Sequence, residues 1–192
     1  MSVKTNIKDN SLIGIFSNIK SSQLFWIITF TVFTFLSAQV FVPVQPVPFT
    51  LQTMLVLLSG AFLGSRNGAI SQITYIMAGV IGLPVFAGFD LGFMRLFGPT
   101  GGYLLSFPFA AYLVGYIIEK RNNLFTITVS FITGGMLILL AGASYLSLFF
   151  NGDFSKALFS GAIIFSVWDL LKIAAGVSIY KAISKKYPKL PA

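Results

Sequence analysis

The sequence predicts an all-α integral membrane protein of six transmembrane helices, and three observations carry that expectation. Only 9% of the 192 residues are charged and the mean hydropathy is +0.87, whereas a soluble domain carries about 25% charge. Long, nearly uncharged stretches recur along the chain, as helices crossing a hydrocarbon core require. The basic residues sit in short loops and tails rather than along one stripe, so the net charge of +8 does not point to nucleic acid.

Residues 1–23 are polar and contain lysines, with no apolar core followed by a small-residue cleavage site, so no removable signal is expected and this segment reads as a cytoplasmic N-terminus. Within it Leu12–Lys20 reads as a loose lead-in rather than an amphipathic surface helix. The membrane domain follows over 24–183, with a short cytoplasmic tail over 184–192. One bundle accounts for the length.

The first span is Leu24–Val42. It runs into FVPVQPVPFTLQ, where Pro43, Pro46 and Pro48 forbid a helix and favour extended backbone. At membrane depth such backbone survives only when it is buried in protein or lines a wet cavity. Thr50 then stands where an N-cap belongs, with Gln52 in the first turn of the second span, Leu51–Leu63. The third span is Ala69–Leu83. Both are short against the roughly 17 residues of a full crossing, so they are tilted or stop at an enclosed cavity.

The connection Pro84–Tyr103 holds Gly88, Gly92, Gly98, Gly101 and Gly102, which permit tight turns or close approach to a ligand. Pro99-Thr100 opens the fourth span, Gly102–Ile118, whose free N–H groups suit a carboxylate or carbonyl oxygen. A plain glycine-rich re-entrant turn explains the same composition. Leu124–Phe150 and Ser155–Ile183 complete the set. Gly60 and Gly64, four apart, and Gly134, Gly135 and Gly142 in span five read as helix-packing positions.

Charge sets the orientation. Tails and even-numbered loops hold ten basic residues (Lys4, Lys8, Lys20, Arg66, Lys120, Arg121, Lys181, Lys185, Lys186, Lys189), and odd-numbered loops hold two, Arg95 and Lys156. The positive-inside rule puts both termini in the cytoplasm and the first, third and fifth loops outside.

Within AIIFSVWDLLKIAAGVSIY, Asp169 and Lys172 stand at i and i+3, on one helix face. Either charge alone in hydrocarbon is costly, and intramembrane ionisable residues mark ligand or ion pathways. The pair is a binding site, a proton relay or a strut between helices.

With no cysteine and no histidine, disulfides, thiol catalysis, soft-metal sites and histidine acid–base chemistry are all excluded, and no cofactor is expected. No GxxxxGK[ST] loop occurs, so the chain does not bind and hydrolyse ATP by itself in the Walker manner. Asp90 and Asp169 do not make an aspartic-protease dyad, because that needs both carboxylates at membrane depth and Asp90 lies in a loop beside Arg95. The chain does not read as an enzyme.

Four motifs in order, VPVQPVPFTLQ (Val42–Gln52), ITYIMAGVIGLPVFAG (Ile73–Gly88), GPTGGYLLSF (Gly98–Phe107) and Asp169-x-x-Lys172, resemble the BioY family, the biotin-binding S-components of energy-coupling factor transporters. The resemblance implies an S-component-like bundle in a bacterial cell membrane. Such a protein captures biotin from outside and works with a transmembrane coupling subunit and two ATP-binding-cassette ATPases. It implies a biotin site in which Asp169 accepts from ureido N–H groups and Lys172 pairs with Asp169 or donates to the ligand. Thr50, Gln52 and Thr100 complete the hydrogen bonds, and Gly98, Gly101 and Gly102 allow close approach. Phe86, Tyr103 and Trp168 supply apolar walls. Thr34 and Ala38 give a small-xxx-small version of the face that docks the coupling subunit. The stretch Phe89–Phe97 departs from the family's glycine-richer pattern, so no ligand contact is carried over to Asp90 or Arg95. The competing reading is a self-sufficient carrier, proton-coupled through Asp169.

Overall fold

The computed structural model describes residues 22–186; the expected N-terminal lead-in at Leu12–Lys20 lies outside them. Helix α1 (Gln23–Ala38) leads into a short antiparallel ladder, β1 (Phe41–Val42) with β2 (Phe49–Thr50), in the register Phe41↔Thr50 and Val42↔Phe49. The proline-rich run is therefore an extended strap, and the first helix ends at Ala38 rather than Val42. Helix α2 (Gln52–Val80) follows, then a 3-10 turn (Phe93–Phe97), α3 (Gly101–Lys120) and α4 (Leu124–Leu146). A 3-10 turn (Ser147–Phe150), α5 (Phe154–Gly161), another such turn (Ile163–Phe165) and α6 (Ser166–Ser184) complete the order.

The two short spans expected at Leu51–Leu63 and Ala69–Leu83 are continuous in α2, which folds back on itself at Gly64. Gly64 has φ 80° and ψ 178°, a conformation essentially reserved for glycine. The two arms, 52–63 and 65–80, run side by side. Gln52 Nε2 donates to the Tyr75 hydroxyl at 2.7 Å and Gln72 Nε2 to Ser59 Oγ at 3.0 Å, pairs far apart on a straight helix. The second arm is capped from outside, since Glu119 at the end of α3 accepts from the Ser65 N–H and hydroxyl, both at 2.9 Å. Sequence spacing gives no hint of that tie.

The expected last span, Ser155–Ile183, is broken at Ala162 (φ −136°, ψ −54°), where α5 ends and the 3-10 turn begins. Among the described residues three helical segments, Gly101–Lys120, Leu124–Phe150 and Phe154–Ser184, are long and apolar enough to cross a membrane.

Packing centres on α2, which touches α1, α3, α4 and α6. Thr34 and Ala38, expected on an outward docking face, are instead fully buried, with Thr34 Oγ1 accepting from Gln72 Nε2 at 3.2 Å. These small residues serve a helix–helix contact inside the bundle, between α1 and the second arm of α2, rather than an external surface. The outer aliphatic and aromatic side chains of α1 and α6, such as Val32, Phe33, Leu170 and Leu171, are exposed, as in helices that face lipid.

The connections sort into two ends. One end carries the strap, the 81–100 loop and the 147–153 turn, stitched by Gln39 Nε2 donating to the Phe86 carbonyl (3.0 Å) and Tyr145 to Leu96 (3.3 Å). The other carries Gly64, the 121–123 turn, the start of α1 and the end of α6, with Asn122 Nδ2 donating to the Tyr180 hydroxyl at 3.3 Å.

Candidate functional site

At the strap end a cavity of about 70 Å³ opens between the strap, the starts of α2, α3 and α6, and the 81–100 loop. Its walls include Val47, Phe49, Thr50, Gln52, Thr53, Phe86, Arg95, Thr100, Tyr103, Phe165, Asp169 and Lys172. Seven residues singled out in the sequence thus meet here from four distant segments: Thr50, Gln52, Phe86, Thr100, Tyr103, Asp169 and Lys172.

The polar floor is the pair on α6. Asp169 and Lys172 are 9% and 8% exposed, and Lys172 Nζ lies 2.5 Å from Asp169 Oδ1. Lys172 also donates to the Thr53 hydroxyl at 2.8 Å and the Thr50 carbonyl at 3.2 Å. Its ammonium sits 4.4 Å above the Phe49 ring, a favourable cation–π position. An ammonium has three N–H bonds and no lone pair; all three have protein acceptors. Asp169 differs. Among the described residues the buried side-chain polar atoms without a partner are Asp169 Oδ2 and Thr100 Oγ1, and both residues line this cavity. A buried polar atom left unpaired costs about 1–3 kcal/mol, so two of them on residues lining one cavity mark where a ligand's polar atoms belong.

Thr50 and Gln52 have other work for their side chains. Leu51, not Thr50, takes the cap position of α2, although Thr50 Oγ1 accepts from the Gln52 N–H at 3.3 Å. Thr50 Oγ1 donates to Gln52 Oε1 at 3.0 Å, and Gln52 passes the chain on to Tyr75, whose hydroxyl donates to the Val85 carbonyl at 3.0 Å. This run of bonds fixes the strap and the 81–100 loop against both arms of α2.

The aromatic walls are seated by glycines. Phe86 is 1% exposed and crosses Tyr75 edge-on at 5.7 Å; a side chain at Gly79 would occupy its place. Tyr103 stands over Gly142, and its hydroxyl donates to the Gly161 carbonyl at 2.7 Å. That bond ties α3 to the end of α5.

Three expectations fail. Trp168 is 57% exposed and packs on the outer side of Phe49, at 5.7 Å, without reaching the cavity. On α6 it lies one residue from Asp169, about 100° round the helix. Gly101 and Gly102 make room for Leu96 and Tyr145 rather than for a ligand, and Gly98 is in the turn before α3, off the cavity wall. Their signal was loop packing, one of the two readings their composition allowed.

Two polar wall residues, Thr53 and Arg95, carry no expectation from the sequence, and neither do the apolar walls Val47, Phe49 and Phe165. Thr53 gave a faint signal, a hydroxyl one turn from Thr50 on an apolar helix. Arg95 receives no ligand role from the family resemblance. It projects from the 3-10 turn onto the cavity wall and pairs with Asp90 (Nη1–Oδ2 2.9 Å), whose other oxygen accepts from the Leu91 N–H at 2.8 Å. Asp90 is held in turn by a backbone bridge to Phe86. A fixed cation therefore stands at the cavity's outer edge, with the carboxylate on its floor. Among the described residues no three acidic, histidine or cysteine side chains converge as metal ligands.

Comparison with known proteins follows the same outline. A sequence model of the BioY family matches residues 8–189. The chain is 36% identical over 156 residues to the biotin transporter BioY of Thermotoga maritima, covering 81% of this chain and 92% of that protein. It is 36% identical over 160 residues to a probable biotin transporter BioY of Pyrococcus horikoshii (83% and 94% covered). Among solved structures, a crystal structure of the S-component for biotin from an ECF-type ABC transporter superposes with a TM-score of 0.80 at 26% identity, over 93% of this chain and 95% of that one.

Proposed function

Since the chain belongs to the BioY family, whose members are membrane transporters and not enzymes, we propose that it is the biotin-binding S-component of an energy-coupling factor transporter. The observation that carries this is Asp169 Oδ2, a buried carboxylate oxygen without a partner on a cavity wall. Biotin offers two ureido N–H donors, one ureido carbonyl, a thiophane ring and a valerate carboxylate. Asp169 Oδ2 accepts a ureido N–H. The Thr100 hydroxyl, also unpaired, donates to the carbonyl or accepts the second N–H. Phe86, Tyr103 and Phe165 wall the rings. Arg95, at the outer edge, takes the carboxylate in a charge-assisted contact. Lys172 is the partner of Asp169 rather than a ligand group, its three N–H bonds being engaged by protein.

The arms of α2 serve as two short crossings, which with α1, α3, α4 and the α5–α6 segment makes six. The strap end faces outward and Arg66, Lys120, Arg121, Lys181, Lys185 and Lys186 face the cytoplasm. Delivery then depends on a coupling subunit and two ATPases, since the sequence has no nucleotide-binding loop. The proton-carrier reading loses ground because, beyond Thr53, the residues behind the pair, Met54, Leu57, Gly135, Leu139 and Ile173, are apolar and do not continue a polar path.

Titration of detergent-purified protein with labelled biotin tests the reading. Saturable binding is expected, weakened at least about tenfold in Asp169→Asn, which removes a charge-assisted bond. Unchanged affinity in Asp169→Asn, or no saturable binding by the native chain, overturns it.

A further inference from the structure

Thr53 lines two cavities. One is the ligand cavity; the other, about 10 Å³, lies on the inner side of the ion pair and is walled by Met54, Leu57, Gly135, Leu139 and Ile173. Asp169 and Lys172 also line both, so these three polar side chains stand between the larger cavity and an apolar space about the size of a water molecule. No other hydroxyl borders the inner space.

We infer that Thr53 is a positioning residue of the biotin site: by taking the third N–H of Lys172, its hydroxyl keeps Asp169 Oδ2 free for the ligand. The inference rests on the reading that Asp169 meets the ureido group. Lys172 has three donors and the protein gives it three fixed acceptors, Asp169 Oδ1, the Thr50 carbonyl and Thr53 Oγ1. Asp169 has two acceptor oxygens, one used and one not. If the Thr53 hydroxyl is removed, a buried N–H of Lys172 loses its acceptor. Leaving it unpaired is unfavourable, and the inner space offers only apolar groups. The acceptor at hand is the other oxygen of the carboxylate already in contact. Lys172 then turns toward Oδ2 and competes with the ligand for the atom the ligand needs. Thr53 thereby decides which member of the pair the cavity presents, carboxylate rather than ammonium. The site so formed selects a ligand edge that donates N–H.

Thr53→Val keeps the shape and removes the hydroxyl; Thr53→Ser keeps the hydroxyl. Binding of biotin, and of a biotin analogue methylated on a ureido nitrogen, is measured by titration of each purified full-length variant, with the melting temperature of the ligand-free protein recorded beside it. In Thr53→Val, biotin affinity falls about tenfold or more while the ligand-free melting temperature stays put. The affinity ratio of biotin to its methylated analogue shrinks, because the lost N–H no longer meets a free acceptor. Thr53→Ser stays within about threefold of the native chain. A merely structural role would move the melting temperature and leave the ratio alone. Native affinity in Thr53→Val, an unchanged ratio, or Thr53→Ser as weak as Thr53→Val overturns the inference while the biotin reading stands. Absence of biotin binding by the native chain removes the reading and the inference with it. Should Thr53→Val fail to fold, Thr53→Ala against Thr53→Ser decides by the same two readouts.

Discussion

Lys172 carries one positive charge into a region 8% exposed, and every direction in which it can donate is taken by protein. That makes its removal a different experiment from removal of Asp169. Lys172→Met strands an ionised carboxylate in a buried site, and breaking a buried pair this way costs about 3–5 kcal/mol. The ligand-free melting temperature is expected to drop well below that of the native chain. Asp169→Asn combined with Lys172→Met removes both charges and recovers most of the loss, without recovering biotin affinity. If the double variant binds biotin as the native chain does, the pair is a strut and nothing more. The i, i+3 spacing was legible in the sequence because helix geometry alone puts those side chains on one face. The roles were not legible, because Thr50 and Thr53, which decide them, are more than a hundred residues away along the chain.

At the scale of elements, the fold-back of α2 is the feature on which the site's geometry depends. It brings Tyr75 and Phe86 to the start of the same helix and, through Gln52, fixes the strap. Gly64 permits it, with a backbone conformation that an L side chain rarely adopts and with Glu119 pressed where a Cβ would go. Gly64→Ala is expected to destabilise by about 1–3 kcal/mol, read as a lower melting temperature in detergent and as weaker biotin binding in parallel. Gly64→Ala at the native melting temperature would mean the turn has an alternative geometry. Here the sequence shows two short apolar spans and a glycine pair four apart. It read the pair as packing, which holds for Gly60 against Ala111, whereas Gly64 acts through its own dihedral angles. Spacing does not distinguish the two uses. The loop glycines failed for a related reason: Gly101 and Gly102 relieve crowding against Tyr145, a contact between segments that no local pattern announces.

The molecule as a whole has one end rich in extended backbone and cavity, and another rich in cations. With no native cysteine, single cysteines report which end faces out. Ser155→Cys is expected to react with an impermeant maleimide on intact cells, and Lys185→Cys only after the membrane is opened; the reverse pattern would invert the proposed orientation. Function at this scale is also testable. Vesicles holding the chain alone should show no biotin uptake under a pH gradient, and uptake should appear with ATP once a coupling subunit and ATPases are co-reconstituted. Gradient-driven uptake by the chain alone would revive a carrier working through Asp169.

Membrane residence, the extended strap and the carboxylate–ammonium couple follow from the sequence by itself, since hydropathy, proline's fixed φ and helix periodicity are local properties. Tertiary structure alone decided that Thr34 and Ala38 are interior, that Trp168 lies outside the cavity, that Arg95 stands on its edge and that Asp169 keeps one oxygen free. Those are matters of which atoms meet across distant segments, and they are set by packing and by the satisfaction of buried hydrogen bonds, neither of which is a property of any short stretch of chain.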